Sequence, residues 1–168
     1  MRKIDKIFIH HSASDFGDAE LIESWHKEQG WQGIGYHFII LNGYLTSNNF
    51  KKRIQQLDFI GTIQKGRDIT TAGSHVKNHN ANSIGICLIH DKLQYEERQL
   101  EVYRDLTAGL AKMFNVDPKN ILGHYEVDKG KPLCPSLDMN EERKIIEKRI
   151  SAITDSTLDF IKIKYIDE

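Results

Sequence analysis

His124 and Cys134 stand ten positions apart in the segment HYEVDKGKPLCPS, and a pair of histidines, His10 and His11, ends the apolar run IFIHH far away in the chain. Imidazole nitrogen and thiolate sulfur are ligands that zinc accepts. Structural zinc is normally closed by four protein ligands, whereas catalytic zinc keeps three and leaves a position open. One histidine of the pair, with His124 and Cys134, makes such a three-ligand set. Neighbouring side chains of a strand point to opposite faces, so His10 and His11 do not both serve one ion. The chemistry these residues point to is metal-assisted hydrolysis.

Such ligands need rigid elements to hold them. Apolar runs predict five strands: Lys6 to His10, Tyr36 to Leu41, Gly61 to Lys65, Ser83 to Ile89 and Ile121 to His124. Several are too uniformly apolar to be half-exposed. Helix signals fall between them. Asp18 caps a helix carrying Leu21, Ile22 and Trp25 that ends before Gly30. A second, from about Tyr95 to Phe114, spaces Leu100, Tyr103, Leu106, Leu110 and Phe114 by three and four. A third starts at Asp138, which with Glu141 resembles a capping box. Interleaved strands and helices predict a single α/β domain with helices packed on a central sheet.

Two segments depart from that pattern. Residues 43–60, with Lys51, Lys52 and Arg53 in a row, are long for a loop and read first as a solvated charge run, with a lid or substrate-contacting insertion as the sharper alternative. In residues 161–166, Ile161, Ile163 and Tyr165 alternate with Lys162 and Lys164, the pattern of a lysine-protected edge strand in a C-terminal extension (155–168) to a domain spanning 1–154.

Charge narrows the partners. The 168 residues hold 23 Lys and Arg against 24 Asp and Glu. This balance gives no reason to expect a nucleic-acid backbone or an anionic membrane surface as the main partner. Cys87 lies inside the buried-looking run SIGICLI and Cys134 in the ligand loop, so a disulfide framework is not expected. MRKIDKIFIHHS has too few consecutive apolar residues for a signal-peptide core or a membrane span, which predicts synthesis in the cytosol and no membrane insertion.

Four blocks in order, IFIHHSA, WHKEQGWQGIGYHFII, GRDITTAGSHVKNHNANSIGICLI and GHYEVDKGKPLCPSLD, resemble the zinc-dependent N-acetylmuramoyl-L-alanine amidases of the amidase-2 type, and within them the short phage lysozyme-type endolysins. The resemblance implies a mixed sheet with flanking helices, as in peptidoglycan-recognition proteins. It implies one Zn2+ ion and hydrolysis of the amide between N-acetylmuramic acid and L-alanine in bacterial peptidoglycan. It selects His10 of the pair, with His124 and Cys134, as metal ligands, and Tyr36 as a catalytic tyrosine. The family's catalytic lysine precedes the third ligand by two positions, where this chain has Pro132, so the role passes to Lys131, with Lys129 behind it. His75 and Asn80 match a block that lines the substrate groove. An endolysin without a signal peptide would be made in the host cytoplasm and reach the wall through a holin-like partner. The alternatives are a non-catalytic peptidoglycan-recognition or regulatory protein that binds a protein partner, and an amidase that recycles soluble muropeptides.

His11 and His37 follow His10 and Tyr36 and are expected to face away from the metal, in packing or supporting roles. Glu126 is expected to orient a ligand. His26, His79 and His90 are read as surface or packing residues.

Overall fold

Ile7, Phe8 and Ile9 have no exposed surface, and neither do Ile84, Ile86, Cys87 and Leu88. Residues covered on both faces belong to central strands, and the computed structural model, which describes residues 2–167, places them there. The strands are β1 (Lys6–His11), β2 (Phe38–Ile40), β3 (Ile63–Lys65), β4 (Ser83–Leu88) and β5 (Ile121–Gly123). They form one sheet in the order β3-β2-β4-β1-β5, parallel throughout except where β3 pairs antiparallel with β2. The helices are α1 (Ala19–Glu28), α2 (Ser47–Lys51), α3 (Glu97–Phe114), α4 (Met139–Ala152) and α5 (Asp155–Lys162). The mixed sheet and the α/β class predicted from the sequence are both present.

Strand alternation divides the core in two. Ile7, Ile9, Phe38, Ile40, Ile84, Ile86 and Leu88 face α3 and α4 and pack with Tyr103, Leu106, Leu110, Met139 and Ile146. Ile39 and Cys87 face the other side and pack with Ile22 of α1, Ile34 and Leu41. Bidentate bonds from Arg104 to Glu142, at 2.9 and 2.7 Å, tie α3 to α4. Capping follows the sequence signals. The Asp18 side chain accepts from the Leu21 amide at 2.9 Å, and Asn115 closes α3 in the left-handed conformation at φ 53°. Asp138 caps α4 through the amides of Asn140 and Glu141, while the Glu141 side chain pairs with Lys144 instead of completing the box.

Two expectations need correction. The C-terminal run is helical: Thr154 caps α5 and a π-helical turn, Ile163–Asp167, continues it. The alternation of Ile161, Ile163 and Tyr165 coexists with a helical spacing of Leu158, Ile161 and Tyr165, and the cap selects the helix. Ile161 is buried against Gly109 of α3, where any side chain would collide with it, whereas Ile163 is exposed. This segment therefore shares the core of residues 1–154. The insertion 43–60 is likewise not a free loop. It contains α2, capped by Thr46, and a 3-10 turn at Leu57–Phe59; Tyr44 and Ile60 are buried, and Gln55 bonds to Glu96 and the Asn42 carbonyl. Its tip, Lys51 to Ile54, is exposed.

Candidate metal centre and active site

The last residues of the parallel strands β1 and β5 open onto one edge of the sheet, where α/β sheets usually carry their sites. His10 lies on the face of β1 shared with Phe8, opposite the α3 side. His124 begins the 3-10 turn that follows β5. Glu126 holds that turn: its carboxylate accepts from the Gly123 amide at 2.8 Å and pairs with Arg143 at 2.9 Å. The following loop turns back through Lys131 N–H to Asp128 O and Cys134 N–H to Lys131 O, and Tyr125 N–H bonds to Cys134 O at 3.0 Å. This brings Cys134 beside the turn from which its loop departs.

One donor atom from each of His10, His124 and Cys134 lies within 4.8 Å of the other two, the one such cluster among the described residues. His10 Nδ1 stands 3.8 Å from Cys134 Sγ. Two ligands on one tetrahedral zinc, at bond lengths of about 2.0 and 2.3 Å, would be roughly 3.6 Å apart, so these donors fit. The His11 amide N–H points at Cys134 Sγ at 3.4 Å, a contact that favours a thiolate. Burial pushes the Cys134 thiol up to about 11, against the pull of that amide and of Lys131. A bound cation reverses that balance. Burial also lowers the pKa of His10 well below the ordinary imidazole value, with the neighbouring His75 and His124 adding to the effect. A neutral imidazole is the ligating form. His124 Nε2 lies 3.5 Å from Asp128 Oδ2, a carboxylate of the kind that orients ligating imidazoles.

Tyr36 packs beside this cluster, its ring centroid 5.0 Å from that of His10. Burial raises its pKa well above the usual phenol value, and the Cys87 and Cys134 thiols add to this. It therefore stays a hydrogen-bond donor. The segment before it is fixed by His26, whose Nδ1 accepts from the Gly35 amide at 3.0 Å and whose ring packs at a tilt against Trp31, 4.5 Å between centroids. Lys131 is exposed; its positive charge adds to the burial that lowers the pKa of His124 and His11, and opposes the burial that raises that of Cys134.

The N-acetylmuramoyl-L-alanine amidase family matches residues 1–136. The chain belongs to that family. The endolysin of Escherichia phage T7 is 36% identical over 146 residues, which cover 80% of this chain and 82% of the relative. Among solved structures, the N-acetylmuramoyl-L-alanine amidase LysC from Clostridium intestinale URNW shares the fold with a TM-score of 0.70 at 24% identity, over 87% of each chain. Drosophila PGRP-LB does so with a TM-score of 0.59 at 26% identity, over 80% of this chain and 76% of its own. The protein is thus an enzyme, an N-acetylmuramoyl-L-alanine amidase acting on peptidoglycan.

Within the amidase, His10, His124, Cys134 and Tyr36 converge as the sequence suggested, and Lys131 stands at their margin. His11 turns away toward His90, at 5.9 Å between ring centroids. His75 and Asn80 have further contacts beyond the groove, His37 takes the packing role expected of it, and Glu126 acts on a turn and not on a ligand ring. Asn80 and His75 do border a groove with Trp31, Lys77, His124 and Asp128. Asn80, however, spends its side-chain oxygen on the amides of His75 and Val76, at 2.8 and 3.0 Å, bracing the loop. His75 is buried behind His10, with its Nδ1 3.1 Å from His10 Nε2. His37 lies edge-on to His75 at 5.7 Å and accepts from the Gly85 amide. Glu126 supports the turn that carries His124 without bonding its ring. The sequence did carry one signal for the buried His75. Gly85 interrupts the apolar strand SIGICL, and a glycine inside a strand marks a close approach; a Cβ there would stand 2.7 Å from the His75 ring.

Proposed function

We propose that the amidase is a phage-type endolysin that holds one zinc ion with His10, His124 and Cys134. The observation that carries this reading is the convergence of two buried imidazoles and a thiol within 4.8 Å, beside a tyrosine whose hydroxyl stays protonated. The chemistry supplied by such an ion is polarisation of the amide carbonyl and a lowered pKa for water. Around it, the chain's own residues divide the work. Tyr36 donates a hydrogen bond to the carbonyl oxygen as that atom gains negative charge. The Lys131 ammonium, reaching in from the ligand loop, stabilises the same charge and supplies a proton to the departing L-alanine nitrogen. The products are a lactyl carboxylate on the sugar and a free amine on the stem peptide. Release to the wall by a membrane-permeabilising, holin-like partner belongs to the same proposal.

Elemental analysis tests the ligand set. About one zinc per chain is expected in the wild type and in His11→Ala, and depletion in His124→Ala and Cys134→Ala. Full occupancy in both of the latter variants would refute the assignment.

A further inference from the structure

We infer that His75 and Ser83 fix the tautomer of His10 through a one-way chain of hydrogen bonds ending on the backbone carbonyl of His79. The consequence for metal binding rests on the zinc reading above; the tautomer itself does not.

The direction follows from proton inventory. Ser83 has one hydroxyl proton, and its Oγ lies 2.7 Å from the His79 carbonyl oxygen, which can only accept. That proton therefore points at His79. Ser83 Oγ also lies 3.4 Å from His75 Nε2, so the proton of this second contact belongs to the imidazole. His75 is buried among the rings of Phe8, His10 and His37, where an imidazolium would have no anionic partner. It is neutral and carries one N–H. With that N–H at Nε2, its Nδ1 holds a lone pair, which faces His10 Nε2 at 3.1 Å. His10 Nε2 must donate. The lone pair of His10 is left at Nδ1, the atom 3.8 Å from Cys134 Sγ and thus on the ligand side.

The seat of His75 is built to hold this orientation. Gly73 and Gly85 leave room that a side chain at either position would fill. Asn80 pins the His75 backbone, and His37 closes the far side of the ring. His75 touches no reacting atom in this arrangement and is a positioning residue. Partners that fix a ligating histidine commonly contribute 10- to 100-fold in metal affinity.

Long-range proton–nitrogen correlation spectra of the metal-stripped wild type read the tautomers directly. We expect His10 and His75 both as Nε2–H; His10 as Nδ1–H would overturn the inference and needs no variant. Zinc affinity, measured by competition with a chromogenic chelator, gives the second test. His75→Leu should bind roughly 10- to 100-fold more weakly. His75→Asn, whose Oδ1 takes the place of Nδ1, should recover most of the loss. Wild-type affinity in His75→Leu, or an Asn variant as weak as the Leu one, would contradict the positioning role. A wild type that takes up no zinc would instead overturn the metal assignment, whatever the tautomer.

Discussion

Tyr36 lies half-buried beside His10 and Lys131 in the exposed ligand loop, and in the proposed mechanism each should lose activity without losing metal when removed. Tyr36→Phe deletes a hydroxyl and leaves the ring packed against His10. Zinc content should be unchanged and turnover of peptidoglycan lower by roughly two orders of magnitude, the scale of one lost oxyanion donor. Lys131→Ala should also keep its metal and lose activity, while Lys129→Ala should not; the reverse pattern would move the role to Lys129. The convergence of His10, His124 and Cys134 was legible in a strand-end histidine pair and a His-to-Cys interval, while the choice of His10 and the place of Tyr36 came from the family resemblance of the IFIHHSA and GYHF blocks. The contact of His75 with His10 was not legible, because it depends on the path of the loop between β3 and β4. Pattern alone placed it in a groove, and only the approach to Gly85 shows it lying behind His10.

At the scale of elements, the five strands and α3 were legible from their apolar runs and periods, and α1 and α4 from an apolar period with a capping aspartate. The two segments misread are those with short or competing periods. For α5, Ile161→Ala should cost about 2–3 kcal/mol in urea unfolding, since a nearly buried isoleucine leaves a cavity against Gly109. An unchanged midpoint would mean that α5 contributes nothing to the fold. The insertion has a packed base and an exposed tip, and its role in engaging substrate is a proposal for the tip alone. Replacing 47–54 by a short Gly-containing turn should leave folding and metal content intact and weaken sedimentation with peptidoglycan; loss of solubility would show that α2 belongs to the core.

Over the whole molecule, buried neutral histidines link the site to acid stability. Burial holds His37 at about 4, below the ordinary 6.5, with Arg2 and Arg67 adding to the depression and the Thr71 carbonyl opposing it. Burial, reinforced by His37 and His124, pushes His75 in the same direction. Between pH 6.5 and 4 the unfolded chain takes up protons that the folded one refuses. Stability is therefore complete above about 6.5 and falls as pH drops toward 4, by on the order of 3 kcal/mol from His37 alone. Urea unfolding of the metal-free protein should show this slope, and His37→Gln should flatten it; a wild type with constant stability across the window would contradict the linkage. The central claim, that this site hydrolyses an amide with a metal held by His10, His124 and Cys134, is tested most directly by the chemical ends formed on purified peptidoglycan. The account predicts new L-alanine amino groups with no rise in reducing sugar ends, abolished by a chelator and restored by zinc. Reducing ends in place of amines, or amine release undiminished in the chelated protein, would contradict it.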